Sequence, residues 1–186
     1  MNRELFNLPV GPEGFTYRDE FISPAEEQAL VDRLAGLRFE PFQFQGFKGR
    51  RHVVSFGRRY DFNGPGLVEA EPMPDWILPL RDRAAAYADL PGAAFEHVLI
   101  NKYPVGAPIG WHRDRPVFDK VVGVSLLNET IMRFRRRDGA SWKRTAVALK
   151  PRSVYLLDGP ARREWEHSLP EAAALRYSIT FRNLRG

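Results

Sequence analysis

The sequence predicts an α+β fold in which two helices of the N-terminal half buttress an antiparallel sandwich or barrel. Two helix-patterned segments precede residue 91, many short extended runs follow residue 95, and turn residues separate those runs. Ser23-Pro24-Ala25-Glu26 forms a capping box with proline at the first helical position, and the amphipathic run to Leu34 ends at Gly36. Asp75 to Leu90 sets Ile77, Leu80, Ala84 and Tyr87 at helical spacing, tolerates Pro79 near its start, and is closed by Pro91-Gly92. The extended runs are His97 to Tyr103, Val121 to Leu127, Ile131 to Arg136, Thr145 to Leu149, Ser153 to Leu157 and Arg176 to Arg182. Pro104-Val105-Gly106, Asp138-Gly139 and Asp158-Gly159-Pro160 are the turns between them. No internal repeat interrupts this plan, so the 186 residues are expected to form one domain, with helices in 1–94 and the strand-rich core in 95–186.

With 44% apolar residues, a chain of this size buries about 70% of its unfolded surface without staples. The absence of cysteine excludes disulfides, thiolate nucleophiles, iron–sulfur clusters and Cys-based zinc sites, so any metal is held by histidine and carboxylate. Met1 to Gly14 lacks a signal-peptide core, and nowhere do about 18 apolar residues run together. The expectation is a soluble, cytoplasmic monomer without membrane association. Of the 28 cationic residues 23 are arginine, the side chain suited to phosphate and carboxylate forks, although a GC-rich genome produces the same bias. Two basic clusters, Lys48 to Arg59 and Arg133 to Arg144, are candidate nucleic-acid contacts or solvated faces.

The chemistry resides in separated motifs. In Trp111-His112-Arg113-Asp114, an extended backbone points His112 and Asp114 to one side. His167 lies 53 residues beyond Asp114. Two imidazoles and one carboxylate make the facial set that binds non-haem Fe(II) and leaves adjacent positions for a chelating keto acid and dioxygen. In Arg176-Tyr177-Ser178-Ile179-Thr180-Phe181-Arg182, the even separation places both arginines on one strand face, about 20 Å apart. A guanidinium fork suits the distal carboxylate of a dicarboxylate; the alternative is a barrel strand with two outward arginines.

The ordered set Asn101-Lys102-Tyr103-Pro104, His112-x-Asp114, Trp165-x-His167 and Arg176 to Arg182 resembles the AlkB family of Fe(II)- and 2-oxoglutarate-dependent dioxygenases. The resemblance reaches upstream to Arg51 and to Phe56 to Phe62, covering roughly residues 45 to 184. It implies a double-stranded β-helix, a jelly-roll of two antiparallel sheets. It also implies His112, Asp114 and His167 as iron ligands. Arg176 is then implied to grip the far carboxylate of 2-oxoglutarate, Asn101 and Tyr103 to hydrogen-bond the same cosubstrate, and Arg182 to lie near Asp114 at the metal end. The implied reaction consumes O2 and oxidatively dealkylates N-alkylated bases of DNA or RNA, as in DNA repair, releasing formaldehyde, succinate and CO2. The base is flipped out or single-stranded.

Gln45 to Phe62 aligns with the segment that covers the substrate base in this family, and Arg50, Arg51 and His52 are the substrate contacts expected from it. One departure bears on specificity. Where the DNA-repair members carry an acidic residue shortly after His-x-Asp, this chain has Arg115-Pro116. That leaves open modified RNA, or the same oxygenase chemistry on a protein or small-molecule C–H bond. A separate reading, from a different class, is a binding module that keeps the barrel and basic surface without turnover.

Overall fold

Two antiparallel sheets carry the fold in the computed structural model, which describes residues 10–44, 47–61, 64 and 66–186. The major sheet runs in the order β1 (Phe15–Arg18), β10 (Val154–Leu157), β7 (Phe118–Leu126), β12 (Arg176–Leu184), β5 (His97–Tyr103), β3 (Phe47–Asp61), β2 (Glu40–Phe44), with β4 (Gly66–Glu69) paired to β3. The minor sheet runs β6 (Ile109–His112), β11 (Glu166–Leu169), β8 (Thr130–Asp138), β9 (Ser141–Leu149). This is the jelly-roll expected.

The major sheet is covered on both faces, which explains why β7 reads as an almost unbroken apolar run, Val121-Val122-Gly123-Val124. One face packs against α1 (Pro24–Ala35) and α2 (Leu78–Tyr87) through Leu34, Leu80 and Ala84 on the helices and Val98, Val124, Ile179 and Phe181 on the strands. The other face meets the minor sheet in a second cluster that includes Phe15, Val121 and Leu157 from the major sheet and Phe134 and Leu149 from the minor one. Strand β12 shows the division by parity. Tyr177, Ile179 and Phe181 pack in the helix-side cluster, whereas Arg176, Ser178 and Arg182 border the cleft between the sheets.

Helix α1 begins as the capping box predicts, with Ser23 Oγ accepting from the Glu26 N–H at 3.1 Å and Glu26 accepting from the Ser23 N–H at 2.7 Å. The second helix is shorter than Asp75 to Leu90. Asp75–Ile77 is a 3₁₀ turn, α2 spans Leu78–Tyr87, and Asp89 at φ 55° turns the chain so that the Leu90 N–H returns to the Ala85 carbonyl. A larger difference lies in residues 40–69, where β2, β3 and β4 form. The segment expected to cover the substrate is mostly strand β3, which pairs with β5 over His52–Gly57 as an integral part of the major sheet. The rest of that segment, Gln45, Gly46 and Phe62, lies outside the described residues.

At Gly57 strand β3 changes partners, pairing with β5 before it and with β4 from Arg58 onward. Its φ of 79° and the approach of the Glu96 carbonyl oxygen, 2.1 Å from where a Cβ would stand, leave room only for glycine. Among the described residues, no helix is long and apolar enough to cross a membrane. Gly57→Ala is expected to cost about 1–3 kcal/mol through strain and the clash, lowering the thermal midpoint by about 2–12 °C. A midpoint within 1 °C of the parent in a calorimetric scan would contradict this account of the switch (~1 °C being well below the ~2–4 °C expected per kcal/mol).

Candidate metal centre and cosubstrate pocket

Strand pairing brings together what the sequence separates. His112 ends β6, and His167 on β11 is its direct cross-strand partner, with ring centroids 4.3 Å apart. A register irregularity between His167 and Leu169 bends this ladder locally. Asp114 follows β6 by two residues and sets Oδ1 3.7 Å from His112 Nε2. One donor atom from each of the three residues lies within 4.8 Å of the other two, the geometry of a cluster able to hold one ion.

Each donor is prepared differently. The Nδ1–H of His112 donates to the Gly110 carbonyl at 2.8 Å, which leaves the lone pair on Nε2. Burial, reinforced by His112 alongside, pushes the His167 imidazole down to about 3, so it stays a neutral donor at physiological pH. Burial alone would raise the Asp114 carboxyl, but Arg182 and the two imidazoles beside it hold it well below the usual carboxylate range. Arg182 Nε donates to Asp114 Oδ2 at 2.8 Å, and both side chains are about nine-tenths buried. Behind the pair, Arg182 Nη1 lies 3.5 Å from Nδ1 of His97, a buried imidazole packed against Phe118 and driven well below its ordinary pKa, first by burial and then by Arg182.

Arg176 stands at the other end of β12, directly opposite Tyr103, as Ser178 stands opposite Asn101. Its Nε donates to Ser125 Oγ at 3.1 Å, and its guanidinium carbon lies 5.1 Å from the Tyr103 ring centroid. Its Nη1 is buried with no hydrogen-bond partner among the described residues. A buried guanidinium N–H without an acceptor is costly, and a ligand carboxylate is the group that would satisfy it. Both Arg176 and the three donors border one cleft of about 1580 Å³. The residues therefore fit an iron ion with a dicarboxylate reaching from it toward Arg176.

Three expected substrate contacts separate in space. Arg51 is buried in the cleft, donates to Asn101 Oδ1, and lies 3.8 Å from the centre of the Phe42 ring. With that oxygen occupied, Asn101 Nδ2 donates to Ser178 Oγ at 3.3 Å. Arg50 points elsewhere, to the Gly106 carbonyl at 2.8 Å and to Glu171 at 3.2 Å, and neither Arg50 nor His52 borders the cleft. Alternation along β3 makes this unavoidable, because the residues flanking Arg51 face the other way. Two cleft residues, His97 and Tyr155, were not anticipated, nor was Ser125, which holds Arg176 from behind. His97 shares the parity of Asn101 and Tyr103, a signal present in the sequence, whereas Tyr155 reaches the pocket only because Gly123 beneath its ring has no side chain.

The profile of the family described as the 2OG-Fe(II) oxygenase superfamily matches residues 14–182. The chain belongs to that superfamily. Members of this oxygenase superfamily use Fe(II), 2-oxoglutarate and O2, and the present oxygenase is of the AlkB type. It is 28% identical over 191 residues to the "Alkylated DNA repair protein ALKBH8 homolog" of Arabidopsis thaliana, covering 89% of this chain and 53% of that protein. It is also 28% identical over 134 residues to the "Probable RNA/DNA demethylase ALKBH6" of Danio rerio, covering 72% of this chain and 55% of the relative. The oxygenase thus spans about half the length of these two curated relatives. In fold it is similar to a solved structure titled "The structure of OsALKBH1", with a TM-score of 0.70 at 16% identity over 96% of this chain and 100% of the other.

Two outcomes follow from the buried pair and its neighbour. Arg182→Ala strands the Asp114 carboxylate without its counter-charge and is expected to destabilise the metal-free protein by about 3–5 kcal/mol in chemical denaturation. A loss below about 1 kcal/mol would mean that the pair is not closed off from water. His97 is held neutral in the fold but takes up a proton near pH 6.5 when unfolded. Its contribution is therefore complete above that pH and lost as pH falls, with a slope of at most about 1.4 kcal/mol per pH unit. His97→Gln should flatten the decline in stability between about pH 6.5 and 5; an unchanged decline would remove His97 from the acid-sensitive groups.

Proposed function

We propose that this oxygenase removes N-alkyl groups from bases of DNA or RNA. The observation that carries the reading is the convergence of His112, Asp114 and His167 in one cleft with Arg176, whose buried Nη1 has no acceptor among the described residues. In this reading His112, Asp114 and His167 hold Fe(II). Arg176 binds the distal carboxylate of 2-oxoglutarate, and the Tyr103 hydroxyl shares that carboxylate. Asn101 acts indirectly, its amide carbonyl anchoring Arg51 at the side of the pocket. Arg182 keeps Asp114 ionised and aimed, so that one carboxylate oxygen stays free for the metal.

Bound iron and 2-oxoglutarate supply oxidation of a C–H bond by O2, with succinate and CO2 as co-products. Hydroxylation of an N-methyl carbon gives a hemiaminal, whose C–N bond then breaks to release formaldehyde and the unmodified base. None of these steps requires a nucleophilic side chain from the protein. A nucleic-acid substrate is supported by relatives named for alkylated-DNA repair and RNA/DNA demethylation, and a cleft of about 1580 Å³ has room for a base. A flipped or unpaired base fits a cleft whose metal end lies between two sheets.

A second reading, oxygenation of a different C–H bond, is favoured by Arg115 and Pro116, which border the cleft where the repair enzymes carry an acidic contact. Arg115 lies 5.1 Å from the centre of the Tyr60 ring, a cation–aromatic pair in place of a hydrogen-bond acceptor for a base. The deciding assay supplies iron and 2-oxoglutarate with methylated single-stranded DNA, transfer RNA and peptides, and measures formaldehyde. Release from either nucleic acid is expected; release from peptides alone would replace the proposal with the second reading. Arg176→Ala should raise the 2-oxoglutarate concentration for half-maximal turnover about tenfold or more, as removal of a charge-assisted pair costs about 1.5–3 kcal/mol. His112→Ala should abolish 2-oxoglutarate decarboxylation.

A further inference from the structure

We propose that the outer face of the minor sheet binds a single nucleic-acid strand beside the nucleotide that enters the cleft, an inference that rests on the nucleic-acid reading above. In strand β8, Met132 and Phe134 are buried in the core between the sheets, while Arg133 and Arg137 are exposed on the opposite parity with Arg135 between them. Across the β8–β9 ladder Arg135 stands directly opposite Arg144 on this same face. Like charges in direct cross-strand register destabilise a hairpin, and the chain supplies a counter-charge to Arg135 but none to Arg144 among the described residues. Glu166 meets Arg135 at 2.6 Å, which leaves Arg133, Arg137 and Arg144 on this face without an ion-pair partner among the described residues. A polyanion relieves that repulsion.

The same face carries aromatic surface interleaved with the charge. The Trp111 ring lies beneath Arg135 at 4.5 Å and Arg133 at 5.4 Å, and the Trp142 ring meets Arg135 and Arg137, each at 4.4 Å. The result is one row, Arg133, Trp111, Arg135, Trp142, Arg137. Guanidinium planes and indoles provide flat platforms on which any base stacks, while the cations track phosphates. This combination suits a single strand better than an acidic peptide, which offers no π-faces.

Position supplies the third argument. Trp111 immediately precedes His112 on β6, and Glu166 immediately precedes His167 on β11, and both Trp111 and Glu166 also border the cleft. The row therefore passes one residue from His112 at Trp111, touches the neighbour of His167 through the Arg135–Glu166 pair, and runs outward to the tip of the β8–β9 hairpin.

The test uses fluorescence anisotropy with unmethylated 20-nucleotide oligo-dT and oligo-rU over a salt series, with polyglutamate as a competitor of another class. Wild-type protein is expected to bind at low salt. The pair Arg137→Glu with Arg144→Glu should weaken binding on the order of tenfold or more at 50 mM salt and reduce the log–log salt slope by about 1.4, the loss of two single-strand phosphate contacts. The neutral pair Arg137→Gln with Arg144→Gln introduces no new acid and should show a smaller loss in the same direction. The charge-transfer absorption formed with Fe(II) and 2-oxoglutarate should persist in all variants, reporting an intact fold. Unchanged affinity and slope in both pairs would overturn this surface and leave the nucleic-acid reading standing. Failure of the wild type to bind either oligonucleotide would sink both, and polyglutamate binding as tightly as the oligonucleotides would overturn the choice of polymer.

Discussion

Everything functional in this molecule depends on a strand that is covered on both sides. Strand β12 lies inside the major sheet between β7 and β5, with helices packed over one face and the cleft over the other. Side-chain alternation then has a chemical effect. Apolar residues at odd positions fasten the strand to the helix layer, and polar residues at even positions are committed to a space largely closed to water. Two arginines in such a space must find anions, because a buried cation without a partner is among the most expensive groups a protein can hold. Arg182 finds Asp114 within the chain; Arg176 donates to the Ser125 hydroxyl and keeps its Nη1 without an acceptor among the described residues. The two ends of one strand thus differ in kind. One is internally neutralised and holds a carboxylate of the candidate metal centre, and the other is left short of an acceptor.

The metal end illustrates how a sheet assembles donors from distant parts of a chain. His112 and His167 are cross-strand neighbours, so their spacing is set by backbone hydrogen bonds rather than by the flexibility of two side chains. Asp114 lies just beyond the strand and would be less well fixed without Arg182. That arginine belongs to the other sheet, so the ion pair also ties the two layers together where the donors meet.

Much of this was legible in the sequence. The capping box at Ser23, the spacing of His112, Asp114 and His167, and the common parity of Arg176 and Arg182 depend on local rules that tertiary structure did not override. Strand β5 likewise has the span its composition suggested, His97–Tyr103. Less legible was Arg51. Five cations close together read as an exposed basic segment, and nothing in composition distinguishes the one arginine of that group that turns inward to Asn101. Strand β3 was obscured for the same reason, since its arginines fall on both parities and conceal the alternation that betrays a strand. Short strands such as β1 and β11 carry too few residues to show any period, and they are recognisable only through their partners.

Strands β6 and β11 each serve two masters, with imidazoles on one side and an indole or a carboxylate on the other. The odd–even rule that makes this economy possible also makes it brittle. Gain or loss of a single residue within either strand would rotate the whole set and present Trp111 or Glu166 where His112 or His167 now stands. Changes of length in this part of the chain can therefore accumulate only in the connecting loops, and the four-residue spans of both strands are fixed by arithmetic as firmly as the histidines are fixed by chemistry.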